Sequence, residues 1–291
     1  NIFNINNYPN DYGTLKDILV SYLGIIIDIN NGNKYTNGGG LCEPYYLSYI
    51  NKSYIKVYDS VISIAQKYGS AIWHLPFESI CSLMTLHHNL ILNSKIHITK
   101  IDNYSLYWLS ILGIKKEQII SGDIFAKKLI IPRQGRCGNP YFEQIYWIRN
   151  IIMNTIPKII PDKEYLILIK RNDDRKIENN NKLISFLENM SCKLDLKLYI
   201  HDDNNLPDIN IQHQLFYRAK YVFGPHGGGG VNIISMRHNT WFIEFLNSTD
   251  INLCYSRLCY YLNINYLALT TENNIIKIEY LKEFLQSNNI Y

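Results

Sequence analysis

The chain has 291 residues, of which 47% are hydrophobic and 19% charged, and its formal net charge at pH 7 is +4. This weak and scattered positive charge excludes a typical nucleic-acid binder, which would carry a basic stripe. The mean hydropathy is −0.14, and no apolar run approaches the ~20 residues of a membrane-spanning helix. The composition therefore predicts a soluble globular protein with one large domain or two of ordinary size.

The 6 cysteines include no C-x-x-C pair, so the sequence indicates neither a zinc knuckle nor a thiol–disulfide motif. We expect buried thiols in a reducing compartment, with one oxidised pair as the alternative. Asn, Ile, Lys and Tyr are abundant, which is typical of AT-rich genomes. A cytoplasmic protein is therefore expected, and the lumen of the secretory pathway is the alternative.

The first half of the chain mixes strand and helix patterns. Leu23–Asp28, with glycine-rich turns at Asn31–Gly32 and Gly38–Gly40, predicts a β-hairpin. Trp73–Leu92 predicts one long helix with Pro76 in its first turn, where a missing N–H is tolerated. The further predicted elements are a strand at Lys95–Thr99, a helix at Leu106–Leu112, a strand at Lys128–Ile131 and a helix at Phe142–Asn154. Together they predict an α/β domain with an attached hairpin.

The second half alternates between β-rich and helical runs. The predicted strands are residues 165–169, 194–200, 221–223, 241–245 and 266–269. The predicted helices are residues 182–190, 211–219, 231–236 and 253–262. This alternation predicts βαβ units and a parallel, doubly wound sheet. Because Pro157 and Pro161 interrupt the chain between the halves, we predict two domains, residues 1–156 and 157–291.

The sharpest motif is YVFGPHGGGGVNIISM at residues 221–236. A short strand ends at Gly224, four glycines follow His226, and a helix is predicted to begin near Val231. Glycine lets a ligand approach the main chain closely, and the N–H groups at a helix start suit an anionic diphosphate. Open α/β sheets also bind their ligands at the carboxyl ends of the strands. The motif therefore predicts a diphosphate site, with a plain tight turn as the alternative.

The segment GPHGGGGVN resembles the GPHGAGLTN signature of glycosyltransferase family 61. Other segments follow the order of that family: YGSAIWHLPFESICSLMTL with its H-x-x-x-E core, LGIKKEQII, LILIKRNDDRKIEN and NTWFIEF. The likeness runs from about Leu23 to Ala268, and only the glycine signature is specific by itself. The chain has Gly228, Gly230 and Val231 where the family has Ala, Leu and Thr. Without that threonine hydroxyl, backbone amides must supply more of the phosphate contacts.

The resemblance implies a GT-B fold: two facing Rossmann-like α/β domains, with the nucleotide-sugar on the C-terminal domain and the acceptor toward the N-terminal one. It implies an inverting transfer, without a metal or other cofactor, from a nucleotide-sugar to a hydroxyl of a glycan or protein. UDP is the implied carrier. The sequence itself contains no D-x-D motif, the carboxylate pair with which GT-A enzymes hold a metal. Cations and dipoles must then stabilise the leaving diphosphate.

Basic residues follow the first strand of the second half. Arg171 and Arg175 are placed where a guanidinium can grip a phosphate with two hydrogen bonds, and an ordinary solvated loop charge is the alternative. Lys170 stands where the family has Ser. The residues assigned to the donor are Lys170, Arg171, Arg175, His226, Gly227, Gly228, Gly229, Asn232 and Glu244.

His74 and Glu78 lie four residues apart and therefore on one face of the predicted helix. An inverting transfer needs a base that removes the proton of the acceptor hydroxyl. We predict Glu78 as that base and His74 as the residue that orients it, with the reverse assignment open. A His–Glu pair that only stabilises the helix is the alternative without a catalytic role.

Two other classes of protein compete with the transferase. A catalytically inactive nucleotide- or glycan-binding module on the same fold would carry the same motifs. An NAD-dependent oxidoreductase is disfavoured, because G-x-G-x-x-G is absent and Glu244 lies inside its strand rather than at its end. Release of nucleotide from a nucleotide-sugar would separate the transferase from the inactive module.

Overall fold

The computed structural model describes residues 12–30, 32, 34–36, 55–135, 137–157 and 163–291. The chain divides into two compact units, one ending at Ile151 and the other beginning at Ile152. Both units are α/β, as the sequence predicts. Among the helices of these ranges, none is both long and apolar enough to cross a membrane.

The first unit is built on a mixed sheet. Its strands are β1 (Tyr12–Val20), β2 (Ile25–Asp28), β3 (Lys34–Thr36), β4 (Lys56–Ser63), β5 (Lys95–His97), β6 (Ile119–Ile120) and β7 (Ile124–Pro132). Their order is β3-β2-β1-β7-β4-β5-β6. The pairs from β3 to β7 are antiparallel and those from β7 to β6 are parallel. The predicted hairpin is confirmed as β2–β3, and its turn at Gly38–Gly40 lies outside the described residues.

The helices of the first unit are α1 (His88–Leu92), α2 (Asn103–Ser110) and α3 (Phe142–Thr155), which runs across the division between the units. The single helix predicted at Trp73–Leu92 is wrong. The chain forms a π-helical turn at Leu75–Ser79 and a 3₁₀ helix at Ile80–Thr85, then extends at Leu86 before α1. All residues of the π-helical turn and most of the 3₁₀ helix are buried. Burial on every side, rather than on one face, fixes this irregular path.

The second unit is built on a parallel sheet. Its strands are β8 (Tyr165–Lys170), β9 (Lys197–Asp202), β10 (Ala219–Pro225), β11 (Trp241–Asn247) and β12 (Asn265–Thr271). Their order is β12-β11-β10-β8-β9, and every pair is parallel, which confirms the predicted sheet. The chain runs outward from β8 and β10 in opposite directions, so these two strands form the topological switch point. Ligands of open α/β sheets bind at such points.

Helices cover this sheet: α4 (Asn180–Lys193), α5 (Ile209–Tyr217), α6 (Cys254–Leu262) and α7 (Ile278–Ser287). Leu183, Leu187 and Met190 recur at the spacing of a helical turn and pack in one cluster with Phe223 and Ile243 of the sheet. This one-sided apolar pattern is the reason that α4 forms an ordinary amphipathic helix.

The glycine motif becomes helical earlier than predicted. A 3₁₀ helix spans Gly228–Ser235, so the glycines form its first turn and Val231 lies inside it. Since β10 ends at Pro225, only His226 and Gly227 connect the strand to the helix. This short connection places the start of the helix directly at the carboxyl edge of the sheet.

Candidate active site

His226 and Glu244 form a pair across two neighbouring strands. The amide of His226 donates to the Phe245 carbonyl at 3.1 Å, which extends the pairing of β10 with β11 by one residue. Nδ1 of His226 lies 2.6 Å from Oε1 of Glu244. A carboxylate only accepts hydrogen bonds, so Nδ1–H is the donor and Nε2 is left as the nitrogen that can act on a ligand. The His226 side chain is 14% exposed and that of Glu244 is 0% exposed.

Two tyrosines hold this pair. The Tyr266 hydroxyl donates to Oε2 of Glu244 at 2.6 Å, and burial, followed by the charge of Glu244, raises the pKa of Tyr266. The Tyr255 hydroxyl donates to the Gly227 carbonyl at 2.5 Å, and its ring packs against the imidazole of His226. Glu244, which the sequence assigned to the donor, lies behind His226, and its two oxygens accept from His226 and Tyr266.

Gly227 and Arg171 occupy adjoining space at the switch point. Gly227 has a φ of 151°, and a Cβ built there would lie 1.4 Å from Nη1 of Arg171. Nη1 donates to the His226 carbonyl at 3.1 Å. Only glycine therefore allows the guanidinium to lie against this loop. The structure thus brings together three residues that the sequence assigned to the donor.

The neighbouring glycines are also required by packing. A Cβ on Gly224 or Gly229 would lie 2.7 Å from the Ile169 side chain, and one on Gly230 would lie 2.7 Å from the Tyr255 ring. The run of glycines therefore allows close packing of the loop on β8 and α6.

The first amides of the 3₁₀ helix point out of its start. Gly230 N donates to the Gly227 carbonyl at 3.0 Å, whereas the amides of Gly228 and Gly229 precede any intrahelical partner. Asn232 is different: it is 6% exposed, and its Nδ2 donates to Oε1 of Gln212 at 3.0 Å. Asn232, which the sequence assigned to the donor, therefore braces the helix from inside.

Each of the assigned basic side chains is paired with an aspartate. Lys170 Nζ lies 2.6 Å from Oδ2 of Asp202, and this bond lowers the pKa of Asp202 to about 2. Arg171 binds Asp173 through Nε and Nη2. The remaining cation, Arg175, lies 3.6 Å from Asp250 and is 45% exposed. Of the three, only Arg171 also reaches the glycine loop.

A second His–Glu pair lies in the first unit. Nδ1 of His74 lies 2.8 Å from Oε2 of Glu78, and the His74 side chain is 21% exposed while that of Glu78 is 1% exposed. Oε1 of Glu78 accepts the amide of Gly138 at 2.8 Å, and Gln66 Nε2 approaches Oε2 at 3.4 Å. Glu78 is thus enclosed by donors, and His74 is the member of the pair that reaches the surface.

The turn around Gly138, whose amide donates to Glu78, also contains Cys137, which is in a disulfide bond. The buried thiols expected from the sequence are confirmed at Cys81, Cys254 and Cys259, whereas Cys192 is a free but exposed thiol. The expectation is wrong at Cys137, where the alternative of an oxidised cysteine holds. Among the described residues, one group has the spacing for a metal ion: ligand atoms of His74, Glu78 and Cys137 lie within 4.8 Å of one another. While its sulfur is in the disulfide, Cys137 cannot act as a thiolate ligand.

A cavity of about 260 Å³ opens beyond the carboxyl end of β12. Its lining includes Ser248 after β11, Thr271 at the end of β12, Glu272 and the ring of Tyr280 on α7. Tyr280 is 55% exposed. No sequence pattern predicted this cavity, because its walls come from the loop after β11, the end of β12 with the loop that follows it, and a helix that was not predicted.

Both units are α/β, with a glycine loop at the switch point of the second and an enclosed His–Glu pair in each. A family model described as Glycosyltransferase 61 matches residues 72–243, more than half of the chain. The chain belongs to this family and is a glycosyltransferase. The match includes both residues of the first pair and His226 of the second, and it ends one residue before Glu244. The comparison with curated proteins found no match.

Proposed function

We propose that this glycosyltransferase is an inverting, metal-independent enzyme that moves a sugar from a UDP-sugar to a hydroxyl of a glycan or protein. The observation that carries the proposal is the meeting of His226, Gly227 and Arg171 at the switch point, beside the first amides of a helix. Donors from an imidazole, a guanidinium and the main chain converge there. A leaving diphosphate needs such an environment, because its negative charge grows as the sugar departs.

On the donor side, Arg171 and the loop amides are proposed to bind the diphosphate. Arg171 uses three of its five N–H groups on Asp173 and the His226 carbonyl, and two remain for phosphate oxygens. The amides of Gly228 and Gly229 and Nε2 of His226 supply further donors when the imidazole carries a proton on Nε2. Glu244 and Tyr266 keep the imidazole in place.

On the acceptor side, His74 is the proposed base and Glu78 its positioning residue. This reverses the roles predicted from the sequence, because Glu78 is enclosed by donors while His74 is partly exposed. With Nδ1–H held by Glu78, Nε2 takes the proton of the acceptor hydroxyl. That oxygen forms the new bond to the anomeric carbon from the opposite side as the bond to the diphosphate breaks, and the bonding electron pair leaves with the diphosphate.

The nucleoside of the donor is proposed to occupy the cavity beyond β12. Neighbouring strands lie about 4.8 Å apart, so β12 lies roughly two strand spacings from β10 and its loop. A nucleoside attached to a diphosphate on that loop spans such a distance. Within the cavity, the ring of Tyr280 offers a surface for a base, and the Glu272 carboxylate can accept bonds from ribose hydroxyls.

The GT-B arrangement is part of the proposal, with the donor on the domain predicted at residues 157–291 and the acceptor on that predicted at 1–156. The disulfide at Cys137 supports the lumen of the secretory pathway over the predicted cytoplasm, because disulfides persist in oxidising compartments.

The test incubates the full-length protein with a panel of nucleotide-sugars, with and without EDTA, and measures nucleotide release and the melting temperature. We expect UDP to stabilise the fold by about 2.7 kcal/mol at a hundredfold excess over its dissociation constant, and release from one UDP-sugar in EDTA. A melting shift without release from any sugar would identify the inactive binding module. A strict need for Mn²⁺ would overturn metal independence.

A further inference from the structure

The turn beside the first His–Glu pair carries chemistry that the transfer reaction does not use. Ligand atoms of His74, Glu78 and Cys137 lie within 4.8 Å of one another. The imidazole and carboxylate atoms are already 2.8 Å apart, and the turn is tied to the carboxylate by the Gly138 amide. An imidazole, a carboxylate and a thiolate are all ligands of Zn²⁺.

The dimensions fit a tetrahedral ion after small movements. With Zn²⁺ at ~2.1 Å from nitrogen and oxygen and ~2.3 Å from sulfur, ligand atoms lie about 3.3–3.6 Å apart. The His74–Glu78 distance must therefore open slightly, and the Cys137 sulfur, which lies within 4.8 Å of both, needs to move inward by no more than about 1 Å. Three protein ligands leave a fourth position for water, which is typical of accessible zinc sites.

Gln66 provides a separate observation at the same place. It is 0% exposed, its Nε2 lies 3.4 Å from the Glu78 carboxylate, and its Oε1 is buried without a hydrogen-bond partner among the described residues. A buried acceptor beside a carboxylate is costly unless a cation or a proton donor satisfies it. A hydrated metal ion held by the carboxylate would bring such donors to this oxygen.

We propose that reduction of the Cys137 disulfide creates a three-ligand Zn²⁺ site from Cys137, His74 and Glu78. A dithiol reductant supplies two electrons and two protons: the S–S bond breaks, two protein thiols form, and the reductant becomes a disulfide. The Cys137 thiol then loses its proton on binding the ion, because a coordinating thiol is deprotonated. While the disulfide is intact, the site is closed.

Binding of Zn²⁺ at this site prevents His74 from acting as the proposed general base. Zn²⁺ takes the place of the proton on Nδ1 of His74, so the neutral imidazole carries its one proton on Nε2. In that form Nε2 cannot accept the proton of the acceptor hydroxyl. This consequence rests on the proposed function, but binding of the ion does not. Transfer is therefore insensitive to zinc in the oxidised protein and inhibited by zinc in the reduced one.

The test titrates the full-length protein with Co²⁺, whose bond to a thiolate gives a charge-transfer absorption band, before and after reduction by a phosphine that competes weakly for metals. The band is expected at one ion per chain in the reduced protein only. Cys137→Ser should abolish it, and His74→Asn should weaken binding at least tenfold. Cys192→Ser is the matched control, since Cys192 is an exposed free thiol remote in sequence from the trio.

The proposal is overturned if reduced and oxidised proteins give the same band, if Cys137→Ser retains it, or if Cys192→Ser removes it. Because the His74 side chain is partly exposed, the His74→Asn variant is expected to fold. It therefore tests the site even if Cys137→Ser fails to fold. A protein that binds Co²⁺ in this way but releases no nucleotide would refute the proposed function and leave the metal site standing.

Discussion

The His–Glu pairs of the two units share one geometry and differ in how the chain builds them. In both, Nδ1 of a partly exposed histidine donates to a fully buried carboxylate, at 2.8 Å for His74–Glu78 and 2.6 Å for His226–Glu244. The first pair is made within one helical turn. The second joins residues 18 positions apart through the pairing of β10 with β11.

The second partner of each carboxylate sharpens this contrast. Glu78 accepts an amide from Gly138, which lies 60 residues away, in a turn that a disulfide constrains. Glu244 accepts the hydroxyl of Tyr266 from the next strand of the same sheet. The carboxylate of the first pair therefore depends on a turn brought in from elsewhere, whereas that of the second takes both of its side-chain partners through the register of one sheet.

The largest expected effect separates the roles of the two histidines. His74→Asn should lower kcat by roughly 10²–10⁴-fold, the usual contribution of a general base, and leave the dissociation constant of UDP unchanged. His88→Asn, at an exposed histidine of the same unit, is the matched control. Full activity in His74→Asn, measured as nucleotide release, would remove the first pair from the mechanism.

The two carboxylates should respond alike to loss of charge. Glu78→Gln and Glu244→Gln each place an amide donor against groups that already donate, which should lower the free energy of unfolding by about 1–3 kcal/mol. Urea denaturation measures both. A double-mutant cycle with Tyr266→Phe should show coupling to Glu244→Gln and additivity with Glu78→Gln. Coupling of Tyr266→Phe to both variants would contradict the independence of the pairs.

Substitution of a glycine in the loop should lower UDP affinity more than substitution of another glycine with positive φ. Gly227→Ala directs a methyl group into the Arg171 guanidinium, so UDP affinity should fall at least about tenfold, or 1.4 kcal/mol. Gly113→Ala is the control, since Gly113 also has a positive φ, 75°, but open space around it. Isothermal titration of both variants decides the point. Equal UDP affinity in the two would mean that the loop does not bind the donor.

The smallest expected effect is a loss of stability at low pH, which the buried histidines should make larger in the second unit than in the first. Burial lowers the pKa of His97 in the first unit, and of His201 and His213 in the second, to about 4. The unfolded chain therefore binds more protons, and the stability present above pH 6.5 is lost as the pH falls toward 4. Since the second unit has two such residues among those described, it should lose more stability in acid.

His201→Phe tests this assignment directly. It should remove about 1 kcal/mol of the stability lost between pH 7 and pH 5.5, the amount expected for one histidine that titrates near 6.5 only when unfolded. Neither nitrogen of His201 has a hydrogen-bond partner among the described residues, so replacing the imidazole by a phenyl ring removes no hydrogen bond within them. An unchanged pH dependence would show that His201 is already accessible to protons.

Local patterns were sufficient to predict the parallel sheet of the second unit. Its strands are short runs of buried residues separated by amphipathic helices, and Leu166, Leu168 and Phe223 are fully buried. The first unit was harder, because β1 and β4 alternate incompletely and the Trp73–Leu92 segment is buried on most sides. An amphipathic period is absent there, so the pattern could not reveal the π-helical and 3₁₀ turns.

The sequence by itself determined the α/β class, the glycine loop with His226, and the spacing of His74 and Glu78, since these follow from neighbouring residues. Tertiary structure decided that Arg171 lies against Gly227 and that Glu244 lies behind His226. It also decided that Cys137 is oxidised beside the first pair. The physical reason is distance along the chain: hydrogen bonds and packing across strands and loops depend on register and turns, which local composition does not encode.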